Sequence, residues 1–576
     1  MKRLTALTVC LLFLLPFLFA CNGGGGNSST EATPNATTPP VINVSDGIVD
    51  DALADISEMN FEYSVRDLKA TYGTGATKIE LSDKAVLVSG FGVVVDGTAV
   101  TINAAGTYVI SGKLTSGSIT VAASKRDKIQ LVFEGVNVTN PNGPALFIQS
   151  AEKVVLSLTT GWRNTLTDGS DYSATDKDTQ LDAALFSRED LTINGSGTLN
   201  VTGNLKHGIV SNDDLIITGG NLNIQAKNVG LSGKDCVKIN DGRITVTAGT
   251  DGIRSDNATD KTRGFVYISG GELNITAGSD ALQAETVIRM VNGTLTATAN
   301  GGSECADRAG KGLKATSDIR IEGGSITVDS SDDALNSNAT VYMTGGTLNL
   351  RSGDDGIHAD VAIGLMNGNV TVANSYEALE STEVVIANGT VDLTSADDGI
   401  NAAGSQDQTS DTFVSASGSI TVAGGTLRIN AGGNGMDSKG TVALKNGLVL
   451  ISISDDKQKS AILSTGGTLI TEAALVALDC AEVPIAPYAE GKLLLSCSFA
   501  QQAASTVSVC DESGAVLIAF QVPNAYKNLT VCTAGLQAAT VYTVVAGGEV
   551  VGLDAFGFAQ STTHTGGNAI ATVTLS

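Results

Sequence analysis

Between Ser331 and Ala402 hydrophobic and polar positions alternate in short runs, the clearest being Val341-Tyr342-Met343-Thr344-Gly345-Gly346-Thr347-Leu348-Asn349-Leu350. A period of two places every second side chain on one face, which predicts strands. The Gly-Gly or Asn-Gly pairs that split the runs admit the positive φ of a tight corner. Between runs stands a recurring hexapeptide: two polar or acidic residues, a small one, an aliphatic, a polar and another small one. It is written Asp332-Asp333-Ala334-Leu335-Asn336-Ser337, Asp354-Asp355-Gly356-Ile357-His358-Ala359, Tyr376-Glu377-Ala378-Leu379-Glu380-Ser381 and Asp397-Asp398-Gly399-Ile400-Asn401-Ala402. Its small residue falls at 334, 356, 378 and 399, in steps of 22, 22 and 21. So constant a period predicts stacked repeats. With no helical periodicity between the corners, the pattern is that of an all-β chain wound as a parallel β-helix, about 22 residues per coil.

The same corner extends backward through Gly312, Ala281, Gly252, Gly230, Gly208 and Ala184, and forward to Gly435. Eleven coils are thus visible. The longer steps coincide with polar insertions at Asn257–Lys261, Asn300–Ala309 and Ser405–Thr412, which a solenoid carries as loops on one side. The expected organisation is a β-helix over 79–470, with more irregular spacing before Ala184 that suits an end cap, and a C-terminal β cap or small β domain over 471–576.

The N terminus reads differently. Lys2-Arg3, an apolar core from Leu4 to Phe19 and the ending Leu18-Phe19-Ala20-Cys21 form a signal peptide over 1–21. Its ending resembles a bacterial lipobox, which makes Cys21 the lipid-modified residue; an ordinary cleaved signal is the alternative. A Gly-, Ser- and Pro-rich stretch over 22–50 is a tether, and 51–78 an N-terminal segment with a short helix around Asp51–Met59. The expected protein is exported and lipid-anchored to a bacterial cell envelope. Six cysteines then remain, Cys236, Cys305, Cys480, Cys497, Cys510 and Cys532, with no CxxC or Cys/His zinc spacing among them. Export permits disulfides; free buried thiols and several pairings both stay open. The single Trp162 is either core or a sugar platform.

Charge narrows the partners. Lys plus Arg number 35 against 60 Asp plus Glu, a formal net charge of −25. That excludes nucleic acid, whose binding rests on neutralising phosphates. Metal cations and neutral sugars remain, and an acidic polymer could bind only through a cationic bridge or a local basic patch.

The corners concentrate the acids. The position before the small residue holds Asp251, Asp280, Asp333, Asp355, Glu377 and Asp398. Equivalent residues on neighbouring strands lie about 4.8 Å apart, where two carboxylates repel by about 3.5 kcal/mol at an effective dielectric of 20. Either they retain protons, or they face water, or a cation lies between them. With Asp332, Asp354, Asp397 and corner carbonyls they supply the many oxygens that Ca2+ takes. The plainer alternative is turn chemistry, Asp bonding its own backbone and Gly supplying positive φ. Two residues beyond the small position the side chain should point outward. That row holds Arg254, Gln283, Lys314, Asn336, His358, Glu380, Asn401 and Asp437, followed two residues on by Asp256, Glu285, Asn338 and Asp360. It is a plausible track for an extended polysaccharide. The three histidines, His207, His358 and His564, adjoin no serine or cysteine hydrolase motif.

The run Asp213-Asp214-Leu215-Ile216-Ile217-Thr218-Gly219-Gly220, the stretch Gly230 to Ile239 and the repeated Asp-Gly-Ile corners resemble bacterial calcium-binding, parallel β-helix carbohydrate-binding proteins. The resemblance covers about residues 78–560. Such proteins are secreted or lipid-anchored, similar in fold to pectate lyases, and associated with cellulose and polygalacturonate. The resemblance implies a right-handed, single-stranded β-helix, calcium and a plant-type polysaccharide ligand. Glu377, Asn434 and Lys311 depart from the acidic pattern at three corners. The expected function is therefore polysaccharide binding by a monomeric surface lipoprotein. A calcium-dependent pectate-type lyase, with Lys314 or Arg254 as base, is the alternative, and a structural spacer is the third reading.

Overall fold

The computed structural model describes residues 52–172, 181–403, 418–483 and 487–575. The signal peptide, Cys21, the tether and the insertion at 405–412 lie outside the described residues. Among the described residues the fold is all-β apart from helical Ala52 and the short helix Val65–Leu68, and most strands belong to one large sheet built chiefly of parallel pairs.

Each full coil contributes three strands. In one coil these are Leu335–Ser337, Thr340–Met343 and Thr347–Ser352. Each pairs in parallel with its counterpart one coil on. Leu335 faces Ile357, which faces Leu379, then Ile400 and Met436. The second strands align Val341 with Ile363, Val384 and Ile420. The third align Leu348 with Val370, Val391, Leu427 and Val449. All these aliphatics are buried and form one continuous apolar core running from Ile79 to Cys532. The second half of the hexapeptide is thus itself a strand, not only a corner.

The glycines divide into two classes. Gly324, Gly346, Gly368, Gly389 and Gly425, in the pairs between second and third strands, all have positive φ as their spacing predicts. Gly356 and Gly399 are not among the left-handed residues, so the expectation that corner glycine supplies positive φ fails. A Cβ on Gly356 would stand 2.6 Å from the Ala378 carbonyl oxygen of the next coil. The small side chain is there so that coils can close on one another.

The ends are antiparallel. Thr77–Leu81 pairs with Leu87–Ser89, and Val93–Asp96 with Ala99–Ile102. Parallel stacking stops at Tyr488–Ala489. Beyond it Tyr526–Cys532 runs antiparallel to both Ala474–Asp479 and Leu494–Gln502. A five-stranded sheet with its own apolar cluster follows.

Of the helix expected around Asp51–Met59, Asp51 lies outside the described residues, Ala52 is helical and residues 53–60 are irregular; a helix stands further on at Val65–Leu68, closed by a Ser64–Asp67 capping box. Tertiary contacts override the local pattern. Met59 packs with Cys236, Phe265 and Val287, Ala54 N–H donates to Asp318 Oδ2 at 2.8 Å, and Lys238 Nζ donates to the Asn60 and Glu62 carbonyls at 3.2 and 2.9 Å. Asp67 takes Lys153 Nζ and the Thr192 hydroxyl, each at 2.6 Å. The segment therefore straps across the second-strand face from the coil of Lys153 to that of Asp318.

Candidate functional site

Among the described residues the strap leaves the first-strand face open, and the corner acids line its edge. One carboxylate oxygen caps the backbone N–H of the corner residue one coil on. Lys311 N–H donates to Asp280 Oδ1 at 2.9 Å, Asp355 N–H to Asp333 Oδ1 at 3.0 Å, Glu377 N–H to Asp355 Oδ1 at 3.3 Å and Asn434 N–H to Asp398 Oδ1 at 2.6 Å. In three coils the other oxygen faces the outward residue three positions later: Arg254 to Asp251 at 3.4 Å, Asn336 to Asp333 at 2.7 Å and His358 to Asp355 at 3.3 Å. Asp280 meets Lys314, the outward residue one coil on, at 3.5 Å. Asn401 likewise donates to Glu377 one coil back, at 3.1 Å. The corner acids and the outward row, distinct in the sequence, thus form a single bonded ladder.

These acids do not face water. Asp251, Asp280, Asp333, Asp355, Glu377 and Asp398 are only 4–8% exposed. Burial favours the neutral carboxyl and raises Asp280, Asp333 and Asp398. Burial, aided by the Glu380 hydrogen bond, pushes Asp355 up to about 9; burial and the Glu380 charge push Glu377 up to about 8. The chain also supplies counter-cations that the sequence did not reveal. Lys311 Nζ lies 3.0 Å from Asp332 and 2.7 Å from Asp333, Arg308 3.0 Å from Asp354, and Lys459 3.0 Å from Asp397. Glu377 Oε2 is the exception, a buried carboxylate oxygen without a hydrogen-bond partner.

Among the described residues two groups bring their ligand atoms within 4.8 Å of one another. Asp332, Asp333 and Asp354 offer oxygen alone, the donor set a hard cation prefers, although Lys311 already sits on two of the three. Asp355, His358 and Glu380 include an imidazole nitrogen, which suits calcium poorly. His358 Nδ1 lies 2.8 Å from Glu380 and Nε2 3.2 Å from Asp360. Burial opposes its charge, but hydrogen bonds to Asp355, Asp360 and Glu380 outweigh it and push the imidazole up to about 12. Burial raises Glu380 too, yet His358 and Asp355 overcome it and hold that carboxyl below its ordinary value.

The expected outward row is in register from coil to coil: Arg254, Gln283, Lys314, Asn336, His358, Glu380, Asn401 and Asp437 are successive partners. Asn336 and Asp437 depart from the expectation, being buried against the corner residues rather than exposed. It continues toward the N terminus through Ser232, Val210, Phe186 and Phe147. That extension was missed because Val229, His207 and Ala183, not acids, precede the small residue there. The repeated triplets Leu146-Phe147-Ile148, Leu185-Phe186-Ser187 and Ile209-Val210-Ser211 would have revealed it. Trp162 is not core: it is 49% exposed. Among the described residues the six cysteines are free thiols.

Comparison with known proteins places the chain. The family described as carbohydrate-binding domain-containing protein matches residues 96–356 and 354–551. A protein of that description from Acetivibrio thermocellus is 40% identical over 136 residues, 23% of this chain and 48% of that protein. The chain thus spans about half the length of that relative. A solved structure, of the polysaccharide lyase-like protein from C. thermocellum as a gadolinium derivative, is 35% identical and covers 42% of this chain and 96% of its own, with a TM-score of 0.40. The two family matches together run through the whole coil series from Ala145 to Gly435, ladder and outward row included, and the chain belongs to the carbohydrate-binding domain family.

Proposed function

We propose that this is a non-catalytic, cell-surface polysaccharide-binding protein whose ligand lies along the first-strand face. The observation that carries the reading is the in-register outward row from Arg254 to Asp437, repeating at about 4.8 Å on a face the N-terminal strap leaves open. A regular polar row suits an extended polymer, and an acidic plant-type chain such as polygalacturonate, or cellulose, is the ligand proposed. The coils are taken as a right-handed parallel β-helix over about 79–470, capped by β structure at both ends, and Cys21 as the lipid anchor of an exported, monomeric protein.

Calcium is proposed as a support of the face. Asp332, Asp333 and Asp354 would hold it, and the ion would supply positive charge among buried carboxylates in place of Lys311. The residues fit on donor chemistry, since all three offer oxygen. Binding without cleavage is favoured because both candidate bases are already committed. Lys314 pairs with Asp280, and Arg254 with Asp251 and Asp256.

Incubation with immobilised polygalacturonate and cellulose, with calcium and with chelator, tests this. The expected outcome is retention on at least one polymer, with no rise in ultraviolet absorbance from unsaturated ends. Sustained product lost in Lys314→Ala would establish a lyase, and absence of retention on every polymer would remove the binding function.

A further inference from the structure

The buried ladder lacks a donor at one coil. Elsewhere a corner acid turns an oxygen to a donor on the outward row: Arg254, Asn336 or His358 three positions on, or Lys314 one coil on. Three positions beyond Glu377 stands Glu380, a second carboxylate. Glu377 Oε1 takes the Asn401 amide of the next coil at 3.1 Å. Its Oε2, in a residue only 8% exposed, has no hydrogen-bond partner. Burial, and after it the Glu380 charge, raise the Glu377 carboxyl. No lysine or arginine offsets this charge: among the described residues Asp355 and Glu380 form ion pairs with His358 alone. Lys311 and Lys459 serve the coils on either side, at Asp332 and Asp333 and at Asp397 and Asp398.

The donor set here differs from the oxygen-only group at Asp332, Asp333 and Asp354. Asp355, His358 and Glu380 bring one imidazole nitrogen and two carboxylate oxygens within 4.8 Å of one another. Imidazole with carboxylate suits zinc and its divalent transition-metal neighbours rather than calcium or magnesium. Nδ1 is the nitrogen that faces both carboxylates, Asp355 Oδ2 at 3.3 Å and Glu380 Oε2 at 2.8 Å. Ligand atoms about 2.0–2.1 Å from a tetrahedral zinc stand about 3.3 Å apart, so only Glu380 has to draw back, by about half an ångström. Nε2 points the other way, 3.2 Å from Asp360 Oδ1. A carboxylate on the second ring N–H is what orients a metal-bound histidine and makes it a better donor. Asp355 is held too: its Oδ1 accepts the Glu377 N–H at 3.3 Å, which leaves Oδ2 toward the ring. His358 and Glu380 are partly exposed on the open face, so an ion has a way in.

We propose that Asp355, His358 and Glu380 form a site for a divalent transition metal of the zinc class, bound through Nδ1 and one oxygen of each carboxylate, with Glu377 beside it and Asp360 as the positioning residue on Nε2. In the metal-free protein the imidazole proton occupies the same place; as the ion binds, Nδ1 gives that proton to solvent. Two positive charges then stand where there was one, among four carboxyl groups. The site is independent of the polysaccharide-binding reading and of calcium at the neighbouring coil.

The test is titration of the metal-stripped full chain with Co2+, read by its visible d–d absorption, then competition with Zn2+ and with Ca2+. The parent should take up one equivalent with a visible spectrum, Zn2+ should abolish that spectrum, and excess Ca2+ should leave it. His358→Gln should lose the signal, Asp360→Asn should weaken Co2+ binding about tenfold to a hundredfold, and the control His207→Gln should bind as the parent does. Circular dichroism shows whether each variant is folded. Zinc K-edge absorption on the parent needs no variant: the first shell should hold nitrogen and oxygen, with imidazole scattering beyond it. A sulfur shell would assign the metal to the cysteines and overturn the proposal. So would a parent that takes up no Co2+, a signal that survives in folded His358→Gln, or displacement of Co2+ by an equal concentration of Ca2+. None of these outcomes bears on retention by polysaccharide.

Discussion

His358 is the residue on which the open face turns. Three carboxylates surround its ring, Asp355 at 3.3 Å, Glu380 at 2.8 Å and Asp360 at 3.2 Å, and they keep it charged through the neutral range. Asp355, pushed up to about 9 mainly by burial, stays protonated there and shares its proton with Glu380. The arrangement is one cation, two anions and one neutral acid, and it makes the two partners unequal under mutation. Asp355→Asn keeps an oxygen for the Glu377 N–H and provides a donor toward Glu380. It should cost no more than about 1 kcal/mol. His358→Ala leaves the mostly buried Glu380 without its cation, and the half-exposed Asp360 too, and should cost about 3 kcal/mol. Chemical denaturation of both variants in chelator checks this. Equal losses would mean that Asp355 is ionised and acts as the principal counter-ion.

At the scale of the coil, close approach matters more than turn conformation. Gly356 needs no left-handed φ, yet an added Cβ would meet the Ala378 carbonyl at 2.6 Å and Val372 at 2.7 Å. Gly356→Val should therefore overpack the junction and cost about 3 kcal/mol, seen as a lower denaturant midpoint at unchanged slope. The spacing of 334, 356, 378 and 399 carried the coil period because a buried, stacked residue must be small at every turn. The strand runs were equally legible, since one face of each is core. What the hexapeptide concealed is that Leu335–Ser337 and its equivalents are strands; three residues are too short for alternation to register. The counter-cations were also hidden. Lys311 and Lys459 reach acids 21 to 62 residues away, and only the stacking of coils brings them there. Arg308 comes from an insertion whose path the repeat does not dictate. The aromatic end of the row escaped notice because its corners lack acids, and the strap because Met59 and Phe61 find partners more than 170 residues away.

Taken over the whole molecule, the buried acids reverse the usual dependence of stability on pH. Burial raises Asp168, Asp190, Asp280, Asp333 and Asp398, and lifts Asp213 to about 7, Glu377 to about 8 and Asp355 to about 9. In the unfolded chain the same groups lose their protons near pH 4. Between about 4 and 9 the folded protein therefore holds more protons than the unfolded one, so stability falls as pH rises. Each such contribution is complete below the unfolded value and is lost as pH climbs through the folded one. His358 acts in the same direction over a later window, from its ordinary 6.5 toward about 12. Asp67, Asp182 and Glu380 are lowered; their stabilisation is lost on acidification below the ordinary carboxylate range, so they do not offset the slope above pH 5. The −25 charge adds self-repulsion that grows as the acids ionise. In chelator the melting temperature should accordingly be higher at pH 5 than at pH 8. On the proposed calcium reading the ion would take the place of protons at the carboxylates, and should raise the melting temperature more at pH 8 than at pH 5. Calorimetric scans at both values, with chelator and with calcium, measure the two effects independently. A melting temperature that climbs from pH 5 to pH 8 without metal would mean that the corner carboxylates are ionised and satisfied by Lys311, Lys459, Arg308 and the outward row alone.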